Sequence, residues 1–189
     1  MNFLLILEIF ATLLGFIYLV LLIKENIWCW FFGAVSSLLS IVLFYHSHLN
    51  SESILYAFYV IMAAYGYRVW KKAGDEGNPL LISDIKVPTK VKTVIGGLIV
   101  GILIGLGMNR YTDADLPYVD AQTTAFSFIA TFLEAHKILF GWIIWILANG
   151  ATIVLYGHKG LYFYSGLMVV YLGLSFYGYF DWVKKMKEM

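Results

Sequence analysis

An all-α integral membrane protein with seven transmembrane helices is the fold class this sequence predicts, on three observations. The chain is 61% hydrophobic and only 13% charged, with a mean hydropathy of +0.78, a composition foreign to soluble domains. Its apolar residues fall into runs of about twenty, the length that crosses a hydrocarbon core. Its two halves also align on one another without a gap, so a three-helix unit is used twice.

The spans are read at roughly 3–23, 27–45, 52–70, 91–108, 119–137, 140–157 and 160–181. No Lys or Arg precedes Lys24 and no small-residue cleavage site follows the first run, so it reads as a retained helix and not as a signal peptide. The fourth span carries Gly97, Gly101 and Gly105 at four-residue spacing, which permits close helix approach and is read as packing. On the fifth, Asp120, Thr123, Thr124 and Ser127 follow i, i+3, i+4 and i+7 and share a face that runs inward from the outer mouth. That face suits a polyhydroxylated solute; the rival reading has Thr123 and Thr124 bonding their own backbone or a neighbouring helix. Pro79, Pro88 and Pro117 are all read in loops, so no span is a proline-broken helix.

The sixth span is the most informative. Gly141 to Gly160 is apolar enough to cross a bilayer yet holds a carboxamide, Asn149, near its centre. An amide in hydrocarbon costs several kcal/mol unless it has partners, so it faces a neighbouring helix or a wet cavity. Trp142, Trp145 and Asn149 lie on one face at i, i+3 and i+7. Ser127, Asn149 and Tyr171 sit at similar depth in their spans, as do Ser37 and Tyr59, so polar groups converge near mid-bilayer. A small-molecule site is the expectation, with Trp145 stacking on a flat ring; a purely structural interhelical bond is the rival for Asn149. Trp28, Trp70 and Trp182 read as interfacial belt residues. For Trp30 and Trp142 belt and gate readings are both open.

Loop charge predicts orientation. One side receives Lys24, Arg68, Lys71, Lys72, Lys86, Lys90, Lys92, Lys137, Lys184, Lys185 and Lys187, the other only Arg110 and Lys159. The positive-inside rule then places the N-terminus outside and the C-terminus in the cytoplasm. Asp113, Asp115 and Asp120 fall on the outer side and carry little topogenic weight.

The repeat has an offset of 112: Trp30 falls on Trp142, Leu43 on Leu155, Leu49 on Leu161 and Tyr59 on Tyr171. Tyr65-Gly66-Tyr67 falls on Tyr177-Gly178-Tyr179, Trp70 on Trp182, Glu8 on Asp120, Thr12 on Thr124 and Ser37 on Asn149. The parse is a first three-helix bundle over 1–70, a loop and linker helix over 71–118, and a second bundle with a short tail over 119–189. An odd linker makes these parallel repeats, which place substrate between the halves near mid-bilayer.

Several classes are disfavoured. No Asp, Glu, Lys or Arg lies near the centre of a span, which argues against a proton relay, a Na⁺ carboxylate or a voltage sensor. No Walker lysine, H-E-x-x-H or G-x-S-x-G motif occurs, and no lysine stands in the last span for a Schiff base. Cys29 is the sole cysteine and His46, His48, His136 and His158 form no H-x-x-x-H pair, so neither a metal nor a cofactor is expected. A net charge of +1 offers no nucleic-acid surface.

The residues resemble the PnuC nicotinamide riboside transporter family over nearly the whole chain. The likeness rests on Asn26-Ile27-Trp28-Cys29-Trp30-Phe31-Phe32-Gly33, on Tyr65-Gly66-Tyr67-x-x-Trp70, and on Asp120-Ala121 with Thr123-Thr124 and Ser127. It continues through Trp142-x-x-Trp145-Ile146-x-x-Asn149 and Leu155-Tyr156-x-x-Lys159-Gly160-Leu161-Tyr162. It implies a bacterial inner-membrane protein in a SWEET-like three-plus-one-plus-three arrangement, commonly a homotrimer. It also implies facilitated diffusion of a B-vitamin precursor, drawn one way by a cytoplasmic vitamin kinase. Tyr56 stands where the family often has Gln, Phe31 where Pro is common and Met168 where Tyr is usual, so thiamine and riboflavin stay beside nicotinamide riboside as candidate substrates. The expected binding set is Asn149, Trp145, Tyr59, Tyr171, Ser127, Thr123, Thr124, Ser37 and Tyr56, with Trp30 and Trp142 as gates. The rivals are a heptahelical sensor or scaffold that moves nothing and, weakest, an enzyme, for which no activated nucleophile or base is visible.

Overall fold

The structure is a computed structural model that describes residues 3–46, 50–111, 116–158, 160 and 162–188, with backbone alone at 50–52, 54 and 163. His48, Leu49, Asp113, Asp115, Lys159 and Leu161, all named above, lie outside the described residues.

In hydrocarbon every backbone N–H and C=O must be satisfied within its own segment, which leaves the helix as the form for an isolated apolar run. Among the described residues there are seven: α1 (Phe3–Ile23), α2 (Trp28–His46), α3 (Asn50–Asp75), α4 (Val87–Tyr111), α5 (Pro117–Ala135), α6 (Phe140–His158) and α7 (Tyr162–Glu188). On length and composition alone α1, α2, α4 and α6 are long and apolar enough to cross a membrane. Three helices run several residues past the predicted spans. The helix α3 continues to Asp75 and α7 to Glu188, while α4 starts at Val87, because adding a residue to an existing helix costs little and polar turns extend it past the apolar stretch. Pro88 and Pro117 are not in loops: they occupy the first turns of α4 and α5, where a missing N–H forfeits no helical bond.

Packing divides the chain into two units, Met1–Leu80 and Leu81–Met189. In the first, α1 and α3 both pack on α2; in the second, α4 packs on α5, α5 on α6 and α6 on α7. The glycines of α4 face α5 in register. A Cβ on Gly97 would lie 2.7 Å from a Phe126 ring carbon, on Gly101 2.5 Å from the Gln122 side chain, and on Gly105 2.6 Å from Tyr118. The stripe is therefore used within the chain, and Gln122 Nε2 secures it by donating to the Leu98 carbonyl at 3.1 Å.

The sequence repeat is a repeat of geometry. After α1, Glu25 takes a left-handed φ of 57°, and Asn26 N–H returns to the Leu21 carbonyl at 2.9 Å. After α5, 112 positions on, Lys137 takes a φ of 50° and Ile138 N–H returns to the Leu133 carbonyl at 2.9 Å. Both are helix C-terminal turns in which one left-handed residue lets the following N–H cap an orphan carbonyl. The second turn carries an addition from the segment preceding α4. Ser83 N–H donates to the Lys137 carbonyl at 3.1 Å, Leu139 N–H donates to the Ser83 carbonyl at 2.8 Å, and Ile82 is buried beside them.

The tryptophans correct one expectation. Trp70 and Trp182 are 6% and 0% exposed and are core residues, whereas Trp28, at 59%, is exposed as a belt residue would be. Trp30 meets Trp70 edge-to-face at 5.5 Å and 86°; Trp142 meets Trp182 at 5.4 Å and 89°. Each pair seats its first ring on a glycine of the third helix, Gly66 or Gly178, where a Cβ would come within 2.4 Å and 2.6 Å of the indole. The ring sits where a side chain would otherwise be.

Candidate functional site

In the second unit the structure joins two of the sequence-predicted residues, Asn149 and Tyr171, through α7. Asn149 is 8% exposed, and its Nδ2 donates to Ser175 Oγ on α7 at 3.1 Å. Ser175 in turn donates to the Tyr171 carbonyl one turn earlier at 2.8 Å. Thus Asn149 meets Tyr171 through the backbone and Ser175. Trp145, one turn before Asn149, packs against the cluster of Ala130, Leu133, Phe140 and Ile144, and its Nε1 is buried with no acceptor among the described residues. On α5, Ser127 is buried. Thr123 donates to the carbonyls of Val119 and Asp120 at 3.2 and 2.9 Å, so its hydroxyl proton is shared along its own helix. Thr124 is half-buried beside it.

In the first unit Tyr56 stacks on Phe44 at 5.2 Å and 25°, and Tyr59 meets Tyr56 edge-on at 5.5 Å and 87°. The aromatic at position 56 is thus part of a cluster with Phe44 and Tyr59, and Phe58 meets Tyr59 in turn. Ser37 is buried on α2, and its neighbour Ser36 donates to the Ala11 carbonyl of α1 at 2.8 Å. Trp30 and Trp142, at 2% and 0% exposed, are enclosed within their own units, which removes the belt reading for both. Their Nε1 atoms find no acceptor among the described residues, so shape alone orients the rings.

Sequence reasoning missed Ser175. It stands one turn past Tyr171, but its repeat partner is Ala63, so the alignment that exposed the other positions carried no signal there. It also missed the roles of Gly66 and Gly178, although Tyr-Gly-Tyr recurring at the repeat offset had marked both. Glu134, nearly fully buried at the end of α5, lay outside the span centres on which attention rested. The arrangement offers neutral hydrogen bonding beside aromatic surface. Among the described residues no cluster of His, Cys, Asp or Glu is set to hold a metal.

Known proteins match nearly the whole chain. The sequence profile of the family described as nicotinamide mononucleotide transporter matches residues 5–184. The nicotinamide riboside transporter PnuC of Neisseria mucosa is 26% identical over 94% of this chain and 72% of its own length. The riboflavin/roseoflavin transporter RibM of Streptomyces davaonensis is 25% identical over 93% and 83%. A crystal structure of the vitamin B3 transporter PnuC superposes with a TM-score of 0.79 at 24% identity, over 96% of this chain and 82% of that one, and so shares the fold.

Proposed function

The chain belongs to the nicotinamide mononucleotide transporter family, a family of multi-pass membrane transporters and not of enzymes, and from that premise we propose that it carries a B-vitamin precursor, nicotinamide riboside first, by facilitated diffusion across a bacterial inner membrane. The observation that carries this reading is the buried, neutral Asn149–Ser175 pair in the middle of α6 and α7. A phosphorylated substrate would need cations at that depth, and the chain's Lys and Arg lie toward helix ends and in loops. A riboside carries no phosphate and can be held by hydrogen bonds and by aromatic faces, which also favour the pyridinium charge of nicotinamide riboside. The Streptomyces relative supports riboflavin as the second reading.

In the working mechanism the N-terminus is outside. In the second bundle substrate passes Thr123, Thr124 and Ser127, is held by Asn149 and stacks on Trp145 or Tyr171; Tyr59, Ser37 and Tyr56 are the first bundle's candidate contacts. The gate assignment of Trp30 and Trp142 becomes a motion in which each ring leaves its glycine seat. Assembly as a homotrimer and capture of the product by a cytoplasmic kinase complete the proposal.

Calorimetric titration of the purified protein with nicotinamide riboside, riboflavin and thiamine, followed by counterflow in liposomes, tests it. Binding and counterflow of nicotinamide riboside alone are expected. Exclusive binding of riboflavin would move the assignment to the second reading, and binding without flux would replace the carrier by a sensor.

A further inference from the structure

We infer that Ser175 is a positioning residue that sets which end of the Asn149 amide faces the substrate, and so makes the site select a ring bearing an N–H donor over one bearing a carboxylate. The inference rests on the function proposed above and adds the polarity of its central contact. Ser175 has one hydroxyl proton, and it is engaged on the Tyr171 carbonyl at 2.8 Å. Toward α6 the hydroxyl therefore presents lone pairs, and the group that meets it at 3.1 Å has to be the Asn149 NH₂. A planar amide held by its nitrogen turns its Oδ1 the other way. Reversing it would set carbonyl oxygen against hydroxyl oxygen unless Ser175 gave up Tyr171. With Asn149 8% and Ser175 2% exposed, bulk water is a poor substitute partner for either.

Oδ1 is thereby committed as an acceptor. It matches the N–H of a ring carboxamide or of a cyclic imide and opposes a carboxylate, which brings only acceptors and a negative charge. The lock belongs to one half of the molecule: the repeat partners of Asn149 and Ser175 are Ser37 and Ala63, which cannot form it.

The test compares nicotinamide riboside with nicotinic acid riboside, its carboxylate counterpart, by calorimetry on the full chain in detergent, with thermal melting to verify folding of each variant. Wild type is expected to favour the amide by at least about tenfold. Ser175→Ala should narrow that ratio to under about threefold. Ser175→Thr should keep it, because a threonine hydroxyl makes the same bond one turn back. A wild-type protein that does not discriminate, or a ratio unchanged in Ser175→Ala, overturns the inference. Asn149→Ala separates the two claims: lost binding there with an intact ratio in Ser175→Ala sinks only the inference, whereas unchanged affinity in Asn149→Ala removes the site itself. Should riboflavin be the ligand bound, riboflavin methylated at the imide nitrogen takes the place of the acid, with the same expected ratios.

Discussion

Helices α1 to α3 and α5 to α7 are two copies of one design, and they agree at their tryptophan nodes and differ in one packed ring and in the polar groups at mid-helix. The tryptophan-on-glycine nodes match to within 0.1 Å in centroid separation, at 5.5 and 5.4 Å. Hydroxyl bonds repeat as well: Ser40 to the Ser36 carbonyl at 2.9 Å corresponds to Thr152 to the Ala148 carbonyl at 2.9 Å. Ser53 to the Ile41 carbonyl at 3.3 Å corresponds to Ser165 to the Ile153 carbonyl at 3.0 Å. Elsewhere bulk has changed places. Tyr18 fills the space over Gly33 in the first copy, its ring 2.8 Å from where a Cβ would stand. In the second copy the same two positions are Ala130 and Trp145, so the large ring comes from the other helix. The polar pair Asn149 and Ser175 replaces Ser37 and Ala63. Duplication kept the scaffold, and on the function proposed above the second copy carries the recognition chemistry.

The largest effect expected from this comparison is on stability. Trp30→Ala and Trp142→Ala each empty a buried aromatic seat and should cost about 3–5 kcal/mol, by similar amounts, in chemical denaturation from detergent micelles. A strongly unequal pair of losses would break the equivalence of the nodes. Next comes the asymmetry in affinity. Asn149→Ala should weaken substrate binding by roughly 10- to 100-fold, the loss of one or two buried hydrogen bonds, while Ser37→Ala changes it by less than about threefold; equal losses would return the first copy to a full share in recognition. The smallest effect sharpens the picture: Ser53→Ala and Ser165→Ala should each cost about 0.5–1.5 kcal/mol, again matched, with transport unaltered.

Much of the fold was legible in the residues. Seven apolar runs became seven helices, and the 112-residue offset reappeared in turns, rings and hydroxyl bonds, because hydropathy and periodicity are summed over many positions. Helix ends were less legible, since a lysine-rich turn continues a helix that hydropathy has already stopped counting. Trp70 and Trp182 misled, because an aromatic near a span end has the same local signature whether it faces lipid or an indole on the preceding helix. The depth of Asn149 was readable; its partner was not, since Ser175 lacks a counterpart in the first copy.

By itself, then, the chain's order of residues determined that this is a duplicated helical membrane protein with neutral polar groups at mid-depth, because lipid forces apolar runs into helices and a repeat copies their register. Tertiary structure alone decided that the α4 glycines receive α5, that Trp30 and Trp142 rest on Gly66 and Gly178, and that Ser175 orients Asn149. Each of these depends on which side chain arrives opposite another across a helix interface, a long-range fact that no local pattern encodes.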